Sequence, residues 1–288
     1  MFAGTANAWA GDPARDAARA EWDRAHAFYE RTQYRESLTA LGAAGNQGTS
    51  SKDARTLQLI GQDYFMLGDF KKATAVLEKA VALAPHDAIA LHWLGRAYGR
   101  RAEAANPFSA PGYATKSREC FEKAVAMDPS DHDAMDDLFD FYLQAPGFLG
   151  GGLHKAQQVA ERVAQRDPAQ GQWALAQIDE KRKEYRSAEQ HLRMAIKLAP
   201  QQVSRVVALA KCLANQGRVN ESEAMFDQAM KMAPQNPIVL FERAETYIHE
   251  QRQLGEAKEL LEQYLQEPLT PDDPPRQQAE ALLKKIGA

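Results

Sequence analysis

Along most of this 288-residue chain, apolar positions recur at intervals of three and four rather than alternating. That is the period of an amphipathic helix, with one stripe turned to a core. The stretch 54–87 shows it most clearly: ARTLQLIGQDYFMLGDFKKATAVLEKAVALAPHD. Leu57, Ile60 and Tyr64 share one face of a first helix, and Ala73, Leu77 and Ala80 one face of a second. Gly61, Ala73 and Ala80 are small, so the two helices can approach closely there. Gly68 falls between them, where a positive φ is often needed. Pro85 ends the second helical region and opens the next unit.

The pattern repeats. Gly61 and Gly95 stand 34 residues apart, as do Tyr64 and Tyr98, Ala195 and Ala229, and Pro200 and Pro234. A third unit carries Leu91, Gly95, Tyr98, Phe121, Ala124 and Pro129. A fourth carries Met135, Leu138, Tyr142, Ala156, Val163 and Pro168. Pro85 to Pro129 spans 44 residues and Pro129 to Pro168 spans 39, so these two units hold insertions of ten and five, near 101–115 and 145–154. In the fourth, Phe139 occupies a position that otherwise holds a small residue, so its packing must differ. Units five and six follow, the fifth entered by a linker two residues short. Units one and seven are weaker, as terminal repeats are.

A 34-residue unit with small residues, aromatics and proline at these places resembles the tetratricopeptide repeat (TPR). The resemblance covers residues 18–268 as six to seven units. It implies an all-α, right-handed superhelical solenoid of antiparallel helix pairs A and B, about fourteen repeat helices in all. Residues 269–288 read as a linker and a capping helix, with Ala279, Leu282, Leu283 and Ile286 covering the last unit. Residues 1–17 read as a leader or signal-peptide remnant, disordered. Ala8-Trp9-Ala10 has the small-x-small form of a cleavage site, and the charged and apolar regions of a leader are missing from residues 1–7, as in a truncated or late-starting form of an exported protein. The expected setting is periplasmic or secreted, as the product of an exported precursor, with the cytoplasm as alternative.

Composition narrows the function. The apolar share of 44% is ample for a core, and a net charge of −4 without any long basic block argues against nucleic acid. No apolar run reaches the roughly 18 residues of a membrane span. Two distant cysteines, Cys120 and Cys212, make neither a disulfide framework nor a metal knuckle.

The stretch LQAPGFLGGGLHKA, residues 143–156, has the look of a phosphate loop but lacks its chemistry. A P-loop requires G-x-x-x-x-G-K-[ST] after a strand; here the glycines follow a helix, His154 precedes Lys155 and Ala156 follows it. The glycines read as an A-to-B turn. Units three and four also resemble a bacterial, exported group of these repeats with a Gly-rich turn of this kind. Both insertions fall at A-to-B turns, which adjacent units place on one edge. Phe108, Tyr113, Phe148 and Leu149, with Pro107 and Pro111, are therefore expected to form a second apolar patch.

Asp133, Asp136 or Asp137, and Asp140 share a helical face and could hold a hard cation. Acids near a helix start more commonly answer the helix dipole, so no metal and no cofactor is expected. HEQRQ at His249 lacks the second His of a zinc protease, and no nucleophile motif is present, so no enzyme is expected.

The resemblance implies a groove lined by the A helices. Its expected contacts are Trp22, Tyr29, Gln62, Phe65, His92, Arg96, Arg100, Asp136, Asp140 and Lys211. Aromatic and basic residues lead and acids follow, which suits a bipolar peptide or protein segment. The function expected is a non-enzymatic scaffold for protein interaction. The alternatives are a structural or self-assembling cell-envelope subunit using the insertion patch and, further off, an enzyme or metal protein using the aspartates.

Overall fold

The structure is a computed structural model that describes residues 13–42, 53–270 and 273–287. Ala8-Trp9-Ala10 and most of the loop closing unit one lie outside the described residues. Among the described residues there are fifteen α-helices, one short 3₁₀ turn and no strand.

Fourteen helices form seven consecutive pairs: α1 (Pro13–Tyr29) with α2 (Tyr34–Ala40), α3 (Ala54–Met66) with α4 (Phe70–Leu83), and α5 (Ala88–Ala104) with α6 (Ala110–Met127). Then come α7 (His132–Gln144) with α8 (Leu153–Arg166), α9 (Pro168–Lys181) with α10 (Tyr185–Leu198), α11 (Val203–Asn215) with α12 (Val219–Met232), and α13 (Pro237–His249) with α14 (Leu254–Tyr264). The last, α15 (Arg276–Ile286), packs on α13 and α14. The expected all-α array of helix pairs with a capping helix is what forms. Helix α1 begins ahead of residue 18, so the array reaches slightly into the expected leader.

Local chemistry starts the A helices. Asp53, Asp87, Asp131 and Asp167 each stand at the N-cap of one, with a carboxylate accepting a backbone N–H two or three residues on. Each satisfies an otherwise orphaned donor. Asp167 does so for both Ala169 and Gln170, at 2.9 Å each. It is also the single residue between α8 and α9, where four residues join α4 to α5; with α9 one residue longer than α7, the unit is two residues short. Asp167→Ala should cost about 1 kcal/mol in a urea titration; a loss under about 0.3 would mean that water caps the helix as well.

Small residues set the spacing within pairs. A Cβ on Gly61 would stand 2.4 Å from Leu77 Cγ, and one on Gly95 2.6 Å from the Phe121 ring. In unit four Phe139 takes that place, buried at 2% exposure, and α7 pairs less closely with α8 than α5 does with α6. A continuous apolar core runs from Leu38 through units two, three and four to Ile178. Smaller clusters continue it through the later units, and Ala279, Leu282, Leu283 and Ile286 close the end.

The two insertions take different forms. That of unit three is not a loop: it adds four residues to each helix, 17 and 18 against 13 and 14 in unit two, and two to the turn. A longer α5 and α6 keep their backbone groups paired within the helices. That of unit four stays a turn, residues 145–152, with the 3₁₀ segment Gly147–Leu149 inside it. The two ends of the solenoid also approach each other. A cavity of about 180 Å³ has Tyr34, Arg35 and Met66 on one wall and Leu269, Pro274 and Arg276 on the other.

Candidate functional site

The elongated α5 and α6 and the long turn of unit four border one cavity of about 690 Å³. Phe65 of α3 and Arg96 and Arg100 of α5 supply one side, and Asp137, Asp140, Phe141 and Gln144 of α7 the other. Gly99, Ala114, Ser117 and Phe121 also line it, and the first three are small enough to leave it open. Pro107, Pro111, Pro146, Phe148 and Leu149 form the rim. The groove and the insertion patch, separate expectations from sequence, are thus one surface at this point.

The glycine turn shapes that rim. Gly152 N–H donates to Tyr142 O at 2.7 Å, and Gly151 N–H to Pro146 O at 3.3 Å. A Cβ on Gly151 would stand 2.0 Å from the Ala145 carbonyl oxygen, so only glycine allows the chain to fold back this tightly. Lys155 donates its Nζ to Gly150 O at 2.8 Å and lies over the Tyr142 ring. That cation is thereby spent on the turn itself, and the Arg118 side chain also lies against Gly150.

The expected groove residues divide. Phe65, Arg96, Arg100 and Asp140 line the cavity. Tyr29 is buried rather than open to a groove: it is 6% exposed and packs with Ala25, Leu59 and Met66. Gln62 is also buried. Trp22 is half-buried in unit one, with the Arg55 guanidinium 4.2 Å from its ring centre and His26 stacked on it. Lys211 lies further along, held by Glu242 and Glu245.

Most of the charges are already committed. His92 is buried, its Nε2 2.7 Å from Asp137 Oδ2. Arg96 Nε lies 3.5 Å from the same oxygen, and its guanidinium lies over both Phe65 and Trp93. Arg100 pairs with Glu103 at 2.6 Å and covers the Phe70 ring. Asp136 accepts two 2.9 Å hydrogen bonds from Gln170, whose own carbonyl oxygen accepts from Arg205. Burial raises the Asp136 carboxyl above the ordinary range, against the lowering by Gln170.

Asp140 is different. Its side chain opens into the groove and has no hydrogen-bond or ion-pair partner among the described residues. The concave wall nonetheless surrounds it with protein. That enclosure first, and then the neighbouring Asp137 and Asp136 charges, pushes its carboxyl up to about 7.

The insertion patch is only partly as expected. Phe148 and Leu149 border the cavity. Phe108, at 98% exposure, does not line it, and neither does Tyr113, which stacks on Tyr98 and lies under Arg101. The sequence pointed to Asp136 for the groove, with Asp137 as its alternative only for a cation, and gave no sign of Arg205 or Gln170; it is Asp137 that lines the cavity. Gln170 occupies a groove position of its unit. Arg205 does not, and carried no signal; only the approach of α9 to α11 gives it a role.

Among the described residues no group of three or more His, Cys, Asp or Glu is placed to hold a metal, and no helix is long and apolar enough to cross a membrane. Cys120 and Cys212 are free and buried.

Family models for the tetratricopeptide repeat match residues 54–87 and 180–240. No curated protein matches the sequence significantly. Among solved structures, a tetratricopeptide repeat protein from Parabacteroides merdae superposes with a TM-score of 0.61 at 12% identity, over 95% of this chain and all of its own. A thermophilic TPR protein of Thermus thermophilus gives 0.54 at 18% identity, over 68% of this chain and 99% of its own. Human IFIT1, solved as a dimer with PPP-AAAA, gives 0.55 at 18% identity, over 88% of this chain and 55% of its own. At these identities the structures speak for the fold, and that fold agrees with the helix pairs, their spacing and the matched units: the chain is a tetratricopeptide repeat protein.

Proposed function

We propose that this protein is a non-enzymatic scaffold that binds an extended segment of a partner protein in the concave groove between units two and four. One observation carries the reading: α3, α5, α7 and both insertions converge on a single cavity of about 690 Å³, open to the groove. Its size falls within the range of about 300–1,000 Å³ usual for binding pockets. The repeat supports the class, since tetratricopeptide repeats generally bind proteins and are typically non-enzymatic. Nucleic acid fits less well, because the unpaired charge in this part of the groove is the carboxylate of Asp140. The small-x-small run Ala8-Trp9-Ala10 supports a periplasmic or secreted setting, which fractionation of the native cell would test.

The binding test uses a partner captured from the native organism. Phe65→Ala and Phe148→Ser should each weaken binding by about thirtyfold, roughly 2 kcal/mol, with helicity unchanged. Lys231→Ala, an exposed change on α12, should cost less than about twofold. Equal affinities for all three proteins would remove the groove from consideration.

A second reading rests on Phe108 and Phe148, exposed at 98% and 81%. Side chains of this size in the open are a means of self-assembly. Light scattering that returns more than one chain's mass, and falls to one chain for Phe108→Ser, would favour it.

A further inference from the structure

The groove's own pairings say which segment suits it. Its cations are taken: Arg96 by Asp137 and two aromatic rings, Arg100 by Glu103 and Phe70, and Lys181 by the side-chain oxygen of Gln144 at 2.6 Å. Two of its acids are also satisfied, Asp137 by His92 and Arg96, Asp136 by Gln170. Asp140 is left, at the edge of an otherwise largely apolar hollow lined by Gly99, Ala114, Ser117 and Phe121. The unmet needs of the site are therefore one bulky apolar group and one positive charge.

We infer that the groove selects an extended segment in which a large apolar side chain is followed or preceded, within about three residues, by a Lys or Arg. The apolar side chain fills the hollow beneath Phe148 and Leu149, and the cation meets Asp140. Adjacent residues of an extended chain advance by about 3.3 Å, so a separation of one to three spans the short distance from hollow to carboxylate. The cation also relieves the mutual repulsion of Asp136, Asp137 and Asp140. An acidic segment would find no free donor in Arg96 or Arg100 and would face Asp140 directly, which is discrimination by repulsion. The occupant inferred is apolar and basic, where the sequence suggested a bipolar one. This inference rests on the proposed groove binding and adds the chemistry of the occupant.

The test needs no known partner. An acetylated, amidated nonapeptide library with randomised positions is passed over the immobilised full chain, and the retained peptides are sequenced. The chain should retain peptides with Phe, Tyr, Trp, Leu or Met at one position and with Lys or Arg enriched about threefold to tenfold within three residues of it. Asp140→Asn should abolish the Lys and Arg enrichment and keep the apolar one; Phe148→Ser should weaken the apolar one. Both side chains are open to solvent, so folding is not at stake. Apolar selection with no charge preference, or with Asp or Glu enriched, would overturn this inference and leave the groove reading intact. Retention of no sequence class would overturn both.

Discussion

Replacing Phe139 by Ala is expected to lower stability by about 3–5 kcal/mol, the usual loss for a fully buried aromatic side chain. The expectation runs against the repeat pattern. At the same place in other units stand Gly61 and Gly95, and Ala would be nearer to them than Phe is. In units two and three, however, the partner helix comes close enough that an added Cβ would collide with Leu77 or Phe121. In unit four the pair is wider and Phe139 fills the space, packed in one core with Met135, Leu138, Tyr142, Val159 and Val163. Removing the ring leaves a cavity that rigid helices close only in part. Gly95→Phe should also destabilise, by overpacking. Urea unfolding followed by circular dichroism reads both. A loss below about 1 kcal/mol for Phe139→Ala would mean that α7 and α8 can simply move together.

Asp63→Asn is expected to stabilise the protein at neutral pH. Asp63 is fully buried on α3, and neither carboxylate oxygen is in hydrogen-bonding geometry with a described residue. Burial pushes its carboxyl up to about 8, against a partial lowering by the adjacent Ser37 hydroxyl. The folded chain thus keeps a proton there that the unfolded chain gives up near pH 4. Stability is fully present below the unfolded value, falls as pH rises from about 4 through 8, and levels beyond. Asn has nearly the same shape and does not ionise, so the slope from this residue should vanish. The gain at pH 7.5 should be on the order of 2 kcal/mol or more, smaller than the full linkage because a buried amide also wants partners. Melting temperatures of both proteins at pH 5, 6.5 and 8 check this: the curves should meet near pH 5 and part toward pH 8. Parallel curves would show that Asp63 does not titrate in this window.

Both residues show how far the repeat could be read. The helix pairs, their order and the capping helix were legible, because a 34-residue period of small, aromatic and proline positions is a local pattern. The N-cap acids were equally local. Phe139 announced altered packing but not its direction, since widening or distortion would serve it equally well. Asp63 carried no signal at all: a polar residue among apolar ones faces a core or a solvent edge depending on where the neighbouring unit lies.

The groove divides in the same way. Positions on the A helices follow from the period, which is why Phe65, Arg96, Arg100 and Asp140 could be named in advance and are found around one cavity. Burial and pairing come from the next helix along. Tyr29 becomes core because α3 covers it; His92 and Arg96 lose their freedom because α7 brings Asp137 to them; Asp136 is met by Gln170 from α9. Eight of the ten added residues of unit three became longer helices and two lengthened the turn, and neither Phe108 nor Tyr113 lines the cavity that Phe148 and Leu149 border. The sequence alone determined the repeat, the helix pairs and which residues could face the groove, because these depend on contacts within one unit. Which charges remain free, and that one hollow joins the groove to the unit-four turn, was decided only by how neighbouring units stack, where contacts between residues some 35 to 45 positions apart set the pairing.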